Sequence, residues 1–394
     1  MMRIRYVVFN AYASGGTTRT VVNQANALCA DHDVEIASVY RHRETPRFAI
    51  DPRIRLVPLT ELRSDGSRRT GPEGTHTRLM RMARRHSNPL PHGLDHRFPQ
   101  WHPPVDARLL RYFWAADDGI LTTTRPGLNL LSARMAPRRL IKVTQEHMNL
   151  ASYKPALRDA IVRAYRRLDA VVVLTEDDRA AYRDALDGSG TRLECIPNGV
   201  PRPRLPAAGL DAKVVVAAGR LVHQKGFDLL LDAFQRVAAR HPDWQLWIFG
   251  GGVRRDALAA QIERLGITGR AHLKRTTDHL DEQFAAASIF VLSSRFEGLP
   301  MVLLEAMTAG LPVVAFDCPT GPAQVITHGR SGLLAPAEDI EGLAAGICEL
   351  IEDPVRRRAM GAAALQDVER FSITSARRRW EELFADLDTA RRYR

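Results

Sequence analysis

Short β-branched runs alternate with helix-like stretches along nearly the whole chain. Parallel sheets with helices on both faces satisfy such a pattern, because every crossover between parallel strands needs a covering element. The first half places strands near Ile4–Phe9, Val34–Val39, Ile54–Leu59, Ile120–Thr123, Leu140–Val143 and Ala170–Leu174. The second half places them near Val214–Ala218, Gln245–Phe249, His272–Lys274, Ile289–Leu292 and Pro312–Ala315. Between the halves, Pro197-Asn198-Gly199-Val200-Pro201-Arg202-Pro203 and Pro206 break the rhythm with turn residues. The expected class is α/β, with two doubly wound domains: 1–200, then 201–374. A charged amphipathic helix over 375–394 follows, whose Trp380, Leu383, Phe384 and Leu387 form a stripe suited to packing back on the first domain.

The 394 residues exceed one ordinary domain. No run approaches 18 uninterrupted apolar residues, so no transmembrane helix is expected. The interrupted apolar stretch at Met1–Asn10 does not read as a signal peptide. Cys29, Cys195, Cys318 and Cys348 form no CxxC pair, which argues against a zinc site or disulfide scaffold and makes a reducing, cytoplasmic setting the expectation. A net charge of +11 favours anionic partners, although an arginine-rich solvated surface accounts for it equally. One stretch, about 60–112, loses the rhythm. It is rich in Pro, Gly and Arg and includes an amphipathic basic piece, Thr77–Arg85, suited to a solvated surface or to an anionic membrane face. Nothing resembles a nucleic-acid-binding module, so no nucleic-acid partner is expected.

Chemistry-bearing residues gather where strands end. Gly15-Gly16-Thr17-Thr18 follows the first strand and opens a helix. Glycines let a ligand approach the backbone, Thr17 or Thr18 suits an N-cap, and free N–H groups favour an anion. Alone, the segment is equally an ordinary strand-to-helix turn. Gly219-Arg220-Leu221-Val222-His223-Gln224-Lys225-Gly226 follows Val214–Ala218 and sets two cations at a sheet's carboxyl edge, where open α/β sheets bind ligands. Arg grips phosphate oxygens as a fork, and Lys adds a point charge; a solvated basic turn has the same sequence. Ser294-Arg295-Phe296-Glu297-Gly298-Leu299-Pro300 then leads into a short apolar helix carrying Glu305. A carboxylate among Leu303, Leu304, Ala306 and Met307 is costly to bury without donors, and a ribose diol supplies two. Phe316–Pro322 and Thr144-Gln145-Glu146-His147 occupy further strand ends. The adjacent acids Asp117-Asp118 and Asp177-Asp178 sit in no convincing metal loop.

Taken together, Gly15-Gly16, Arg220 with Lys225-Gly226, Glu297 with Glu305 (Glu-x7-Glu), Pro197-Asn198-Gly199-Val200 and Gly329–Leu334 resemble the retaining GT-B glycosyltransferases of the family-4 type. The resemblance covers nearly the whole chain outside 60–112. It implies two Rossmann-like domains facing across a cleft, the first binding the acceptor and the second a nucleotide-sugar. It further implies that Gly15 and Gly16 approach the donor diphosphate or sugar, that Arg220 and Lys225 neutralise the diphosphate, and that Glu297 holds sugar hydroxyls with Gly298, Leu299 and Pro300 beside it. Glu305 would hold the ribose, His147 would meet the transferred sugar, and Gly250 would line the nucleotide. The loop Phe249-Gly250-Gly251-Gly252 lacks the acidic residue often found between the family's glycines.

The expected activity is therefore retaining transfer of a sugar, from a UDP-sugar first and GDP-mannose second, without a metal or other cofactor. The expected acceptor is a carbohydrate, lipid-linked or polymer hydroxyl in cell-envelope glycan or wall-polymer synthesis, with peripheral attachment to the inner membrane face. A small natural product as acceptor, a sugar-nucleotide epimerase and a non-catalytic polyanion binder are the alternatives.

Overall fold

The computed structural model describes residues 1–61, 94–95, 103–203 and 205–393. Most of the irregular stretch, including Arg63, Trp101 and the amphipathic piece Thr77–Arg85, lies outside the described residues. The chain divides into two compact units, Met1–Gly199 with Thr374–Arg394, and Val200–Ile373.

In the first unit the strands are β1 (Arg3–Val8), β2 (Asp33–Ser38), β3 (Arg55–Pro58), β4 (Ile120–Thr123), β5 (Ile141–Gln145), β6 (Ala170–Val173) and β7 (Arg192–Cys195). They form one parallel sheet in the order β3-β2-β1-β4-β5-β6-β7. Helices α1 (Gly16–Leu28), α2 (Pro103–Ala115), α3 (Pro126–Met135), α4 (Pro155–Tyr165) and α5 (Glu176–Leu186) cover its faces. The central strands are buried on both faces, which explains their unbroken apolar runs such as Ala170–Val173. Helix α2 corrects the expectation of an irregular stretch reaching 112. Pro103-Pro104 reads as a breaker, but proline fits a helix's first turn, and Val105, Leu109 and Phe113 then fall on one buried stripe.

The second unit holds β8 (Val214–Ala218), α6 (Phe227–Arg240), β9 (Gln245–Phe249), α7 (Arg255–Arg264), β10 (Ala271–Lys274), α8 (Leu280–Ala285), β11 (Ile289–Leu292), α9 (Met301–Thr308), β12 (Val313–Asp317), α10 (Pro322–Val325), β13 (Gly332–Pro336), α11 (Ile340–Glu352) and α12 (Pro354–Val368). Its parallel sheet runs β10-β9-β8-β11-β12-β13. Helix α13 (Ile373–Arg392) ends the described chain, and Trp380, Leu383 and Phe384 are buried in the first unit's core beside Ile4 and Val34.

Both sheets are doubly wound. In each, strand order reverses next to the first strand, between β1 and β4 and between β8 and β11. Loops leaving the carboxyl ends of two adjacent strands diverge to opposite faces there and leave a crevice, the general ligand position of open α/β sheets. The loops after β1, β4, β8 and β11 therefore occupy the places where function is expected. No described helix is long and apolar enough to cross a membrane.

Candidate functional site

In the second unit the crevice loops are laced together by their backbones. The β8–α6 loop contains a short turn, His223–Lys225, closed by Gly226 at φ +58°. Arg295 N–H donates to Gln224 O at 2.8 Å, Gln224 Nε2 to Phe296 O at 3.0 Å, and Ser293 Oγ to Lys225 O at 3.0 Å. The β12–α10 loop joins from the other side. Glu297 N–H donates to Pro319 O at 2.9 Å, and Thr320 Oγ1 donates to Glu297 O at 3.1 Å.

Lys225 and Glu297 meet in this lacing. Lys225 Nζ lies 2.5 Å from Glu297 Oε1, with the two side chains only 14% and 7% exposed. Ser294 Oγ donates to the same oxygen at 2.6 Å. Oε2 takes neither bond, and an ammonium has two further N–H groups to offer. The pair thus presents a positive and a negative hydrogen-bonding group side by side at a topological switch point. Arg220 is exposed on the same loop, and Glu305 is half-buried on α9. Gly298, Leu299 and Pro300 are buried between Glu297 and that helix, with Pro300 at its N-cap.

A second ion cluster braces the loops, and nothing in the sequence announces it. Arg295 holds both oxygens of Asp228 at 3.0 and 2.9 Å and Glu338 at 3.0 Å, and Arg254 reaches Asp228 at 3.5 Å. Burial pulls the Asp228 carboxyl upward, but Arg295 and Arg254 outweigh it and hold the group below its usual value. Cys318, in the third loop, is no nucleophile: burial, and then the Glu297 carboxylate, push its thiol up to about 12.

Gly250 is also a packing position. A Cβ there would lie 1.9 Å from Gly219 O, so the glycine lets the loops after β8 and β9 touch. Gly252 is bound the same way, with a Cβ 2.4 Å from Leu221 O.

In the first unit Gly15 is the N-cap of α1 and has no side-chain cap. This corrects the assignment of the cap to Thr17 or Thr18, since Thr18 Oγ1 instead donates to Asn10 O at 3.0 Å. The first N–H groups of α1 are thus left to a ligand or solvent, and a Cβ at Gly15 would meet no heavy atom within 4 Å. Gly16 is exposed beside it. Arg125, at the β4–α3 turn, lies over the Phe9 ring at 5.9 Å and pairs with buried Asp95 at 3.7 Å. His147 follows β5 on the same sheet edge. Burial, and then the Arg125 charge, pull its imidazole down to about 3, so it is neutral, and its Nε2 has no hydrogen-bond partner among the described residues. A neutral imidazole hydrogen-bonds without adding charge. Arg125 escapes a reading by motif, and Glu146 appears in the sequence only within the strand-end segment Thr144-Gln145-Glu146-His147, with no role of its own.

The paired acids are otherwise engaged. Asp118 pairs with Arg3 at 2.9 Å, and Asp178 accepts from the Thr175 cap at 2.8 Å. Among the described residues, His241, Cys348 and Glu352 bring potential metal ligands within 4.8 Å of one another. They lie where α6 and α11 end, at the amino edge of the sheet, and Glu352 already pairs with Arg240 at 2.7 Å.

Residues 206–367 match the model of a family described as glycosyl transferases group 1. An exopolysaccharide phosphotransferase of Streptomyces coelicolor is 34% identical over 398 residues; these cover 99% of this chain but 41% of that protein, so the chain spans less than half its length. A GDP-mannose-dependent α-(1-6)-phosphatidylinositol monomannoside mannosyltransferase of Mycobacterium tuberculosis is 30% identical over 315 residues, 72% of this chain and 78% of that one. Among solved structures, Staphylococcus aureus TarM, crystallised with fondaparinux, α-GlcNAc-glycerol and UDP, superposes with a TM-score of 0.78 at 17% identity, covering 98% of this chain and all of that one. At that identity the likeness speaks for the GT-B fold.

Proposed function

Because the chain belongs to the glycosyl transferases group 1 and is a glycosyltransferase, we propose that it moves a sugar, with retention of configuration, from a nucleoside-diphosphate sugar to a hydroxyl of a cell-envelope glycan or wall polymer. The observation that carries this reading is the Lys225–Glu297 pair at the switch point of the second sheet. Breaking a sugar–phosphate bond sends its electron pair to a diphosphate oxygen and leaves an oxocarbenium-like sugar, so the enzyme must stabilise leaving-group charge. Arg220 and Lys225 supply that charge without a metal. Glu297 Oε2 accepts a hydroxyl of the sugar, Glu305 accepts from the ribose diol, and neutral His147 is the group that the first unit offers to a sugar hydroxyl. The acceptor oxygen attacks from the face that the diphosphate leaves, and its proton passes to the departing phosphate oxygen.

The envelope acceptor rests on the relatives, whose names refer to exopolysaccharide and phosphatidylinositol mannoside. A UDP-sugar is the first donor to test. The mannosyltransferase relative, which aligns across most of its own length, favours GDP-mannose as the second. Peripheral attachment to an anionic inner membrane face goes with such acceptors. A concavity of about 570 Å³ in the first unit, lined by Arg134, Arg138, Lys142 and Arg167, adds to the basic surface that would face it.

The test is a thermal-shift panel of UDP, GDP, ADP and their sugar conjugates in EDTA, followed by transfer assays with the stabilising donor. A ligand at about 100 times its dissociation constant adds roughly 2.7 kcal/mol to the folded state. One base series is expected to stabilise the protein, and its sugar conjugate to be consumed only when a hydroxyl acceptor is present. Stabilisation by none, or conversion of the donor without an acceptor, would overturn the reading; the second outcome is that of an epimerase.

A further inference from the structure

Glu146 is a buried carboxylate that the transfer chemistry above leaves unused. It is 2% exposed, and its N–H donates to Val172 O at 2.8 Å, so its peptide extends β5 in register. Its side chain is held from three directions. Oε1 accepts from Asn129 Nδ2 of α3 at 2.8 Å and from Tyr165 OH of α4, and Oε2 accepts from Tyr153 OH at 2.7 Å. Tyr153 directly follows the short turn Leu150–Ser152, so the carboxylate closes the whole segment 146–153 on itself. Asn129 also donates to Tyr165 OH at 2.8 Å, and its Oδ1 accepts the Arg125 N–H at 3.2 Å. One network therefore ties the His147 segment to the Arg125 turn, across the two loops that leave β4 and β5. Tyr182 of α5 stacks on Tyr165, with ring centroids 6.2 Å apart, and backs the network.

From this geometry we infer that Glu146 is the positioning residue of the first unit: its three-donor clasp fixes the peptide bearing His147 and couples it to the Arg125 turn. Glu146 is buried among its donors, whereas His147, next in the chain, is only half-buried. The inference rests on the role proposed for His147. The groups facing the carboxylate are Asn129, Tyr153, Tyr165 and Tyr182, with the charges of Asp95 and Arg125 nearby. Burial pushes Glu146 up to about 7 against the pull of Tyr165, Tyr153 and Asn129. The ionised form accepts all three bonds most strongly, and a proton on either oxygen weakens them, so the clasp tightens as pH rises through that value.

The test compares the full-length wild type with Glu146→Gln, which keeps the shape and loses the charge. The expected result is unchanged affinity for the nucleoside diphosphate and unchanged donor KM, with kcat lower by at least about 10-fold. Wild-type kcat should rise with pH through about 7, and the variant should lack that rise. Tyr153→Phe should show a smaller loss of the same kind. Amide hydrogen exchange over 146–153 should quicken about 10-fold in Glu146→Gln while the second unit stays unchanged. Wild-type exchange in the variant would overturn the inference whatever the activity, as would wild-type kcat with an unaltered pH profile. A wild type that consumes no nucleotide-sugar would count against the proposed function instead, and the exchange measurement would still decide the role of Glu146.

Discussion

Lys225→Met will lower the melting temperature of the second unit by about 6–20 °C and cut kcat/KM more than about 100-fold, and adding Glu297→Gln will restore the stability but not the activity. The stability loss comes from the partner left behind. Glu297 is 7% exposed, and without the ammonium at 2.5 Å its charge keeps, among the described residues, the Ser294 hydroxyl. Breaking a buried pair on one side costs about 3–5 kcal/mol, and a unit of this size loses roughly 2–4 °C per kcal/mol. Removing both charges removes the uncompensated carboxylate, so the double variant should be more stable than the sum of the single effects predicts. Activity behaves differently if Lys225 faces the leaving diphosphate. A neutral pair cannot stabilise that charge, and a 100-fold loss corresponds to about 2.7 kcal/mol of transition-state energy. Melting curves and steady-state kinetics on the two single variants and the double variant check both halves. Parallel recovery of stability and turnover in the double variant would reduce the pair to a structural element and remove the observation on which the function is argued.

Strands that cross the centre of a sheet were legible because both faces are buried and the sequence runs apolar without interruption, as in Val214–Ala218 and Ile289–Leu292. The edges were not. In β7, Arg192-Leu193-Glu194-Cys195 alternates polar and apolar over only four residues, and β13 begins with Gly332 and ends with Pro336, both of which read as punctuation. Helix α2 hid behind Pro103-Pro104 for a related reason: proline at a first helical turn and proline in a loop look alike without the stripe of Val105, Leu109 and Phe113 behind it.

The candidate site was legible as separate loops and not as an assembly. Arg220, Lys225, Glu297 and Glu305 could be named because each follows a strand, and strand ends of α/β sheets collect ligands. That Lys225 and Glu297 touch depends on sheet order, which sets β8 beside β11 although some 70 residues separate them. The clamp of Arg295 on Asp228 and the clasp on Glu146 are further from view. Their residue types are ordinary surface residues, and only the register of neighbouring elements turns them into buried partners.

Gly226→Ala will strike the same assembly through its backbone. Gly226 stands at φ +58°, and a Cβ would lie 1.9 Å from Ser293 O and 3.0 Å from Ser293 C. The left-handed conformation alone costs a non-glycine residue about 1–2 kcal/mol. The collision adds to it, because the obstacle is main chain and cannot rotate away. The Ser293 loop must retreat, and with it go the bonds from Ser293 Oγ to Lys225 O and from Arg295 N–H to Gln224 O that keep Lys225 opposite Glu297. The expected outcome is a destabilisation of about 3 kcal/mol or more, in the range of severe backbone substitutions, with donor-dependent turnover reduced beyond about 100-fold. Gly266→Ala provides the comparison in the same unit, since Gly266 has φ +67° and no atom within 4 Å of an added Cβ. It should carry the conformational cost alone, melt only a few degrees below wild type and turn over normally. Equal melting temperatures for the two variants, with turnover intact in both, would mean that the β8–α6 and β11–α9 loops can separate without loss, and that their lacing does not hold the site.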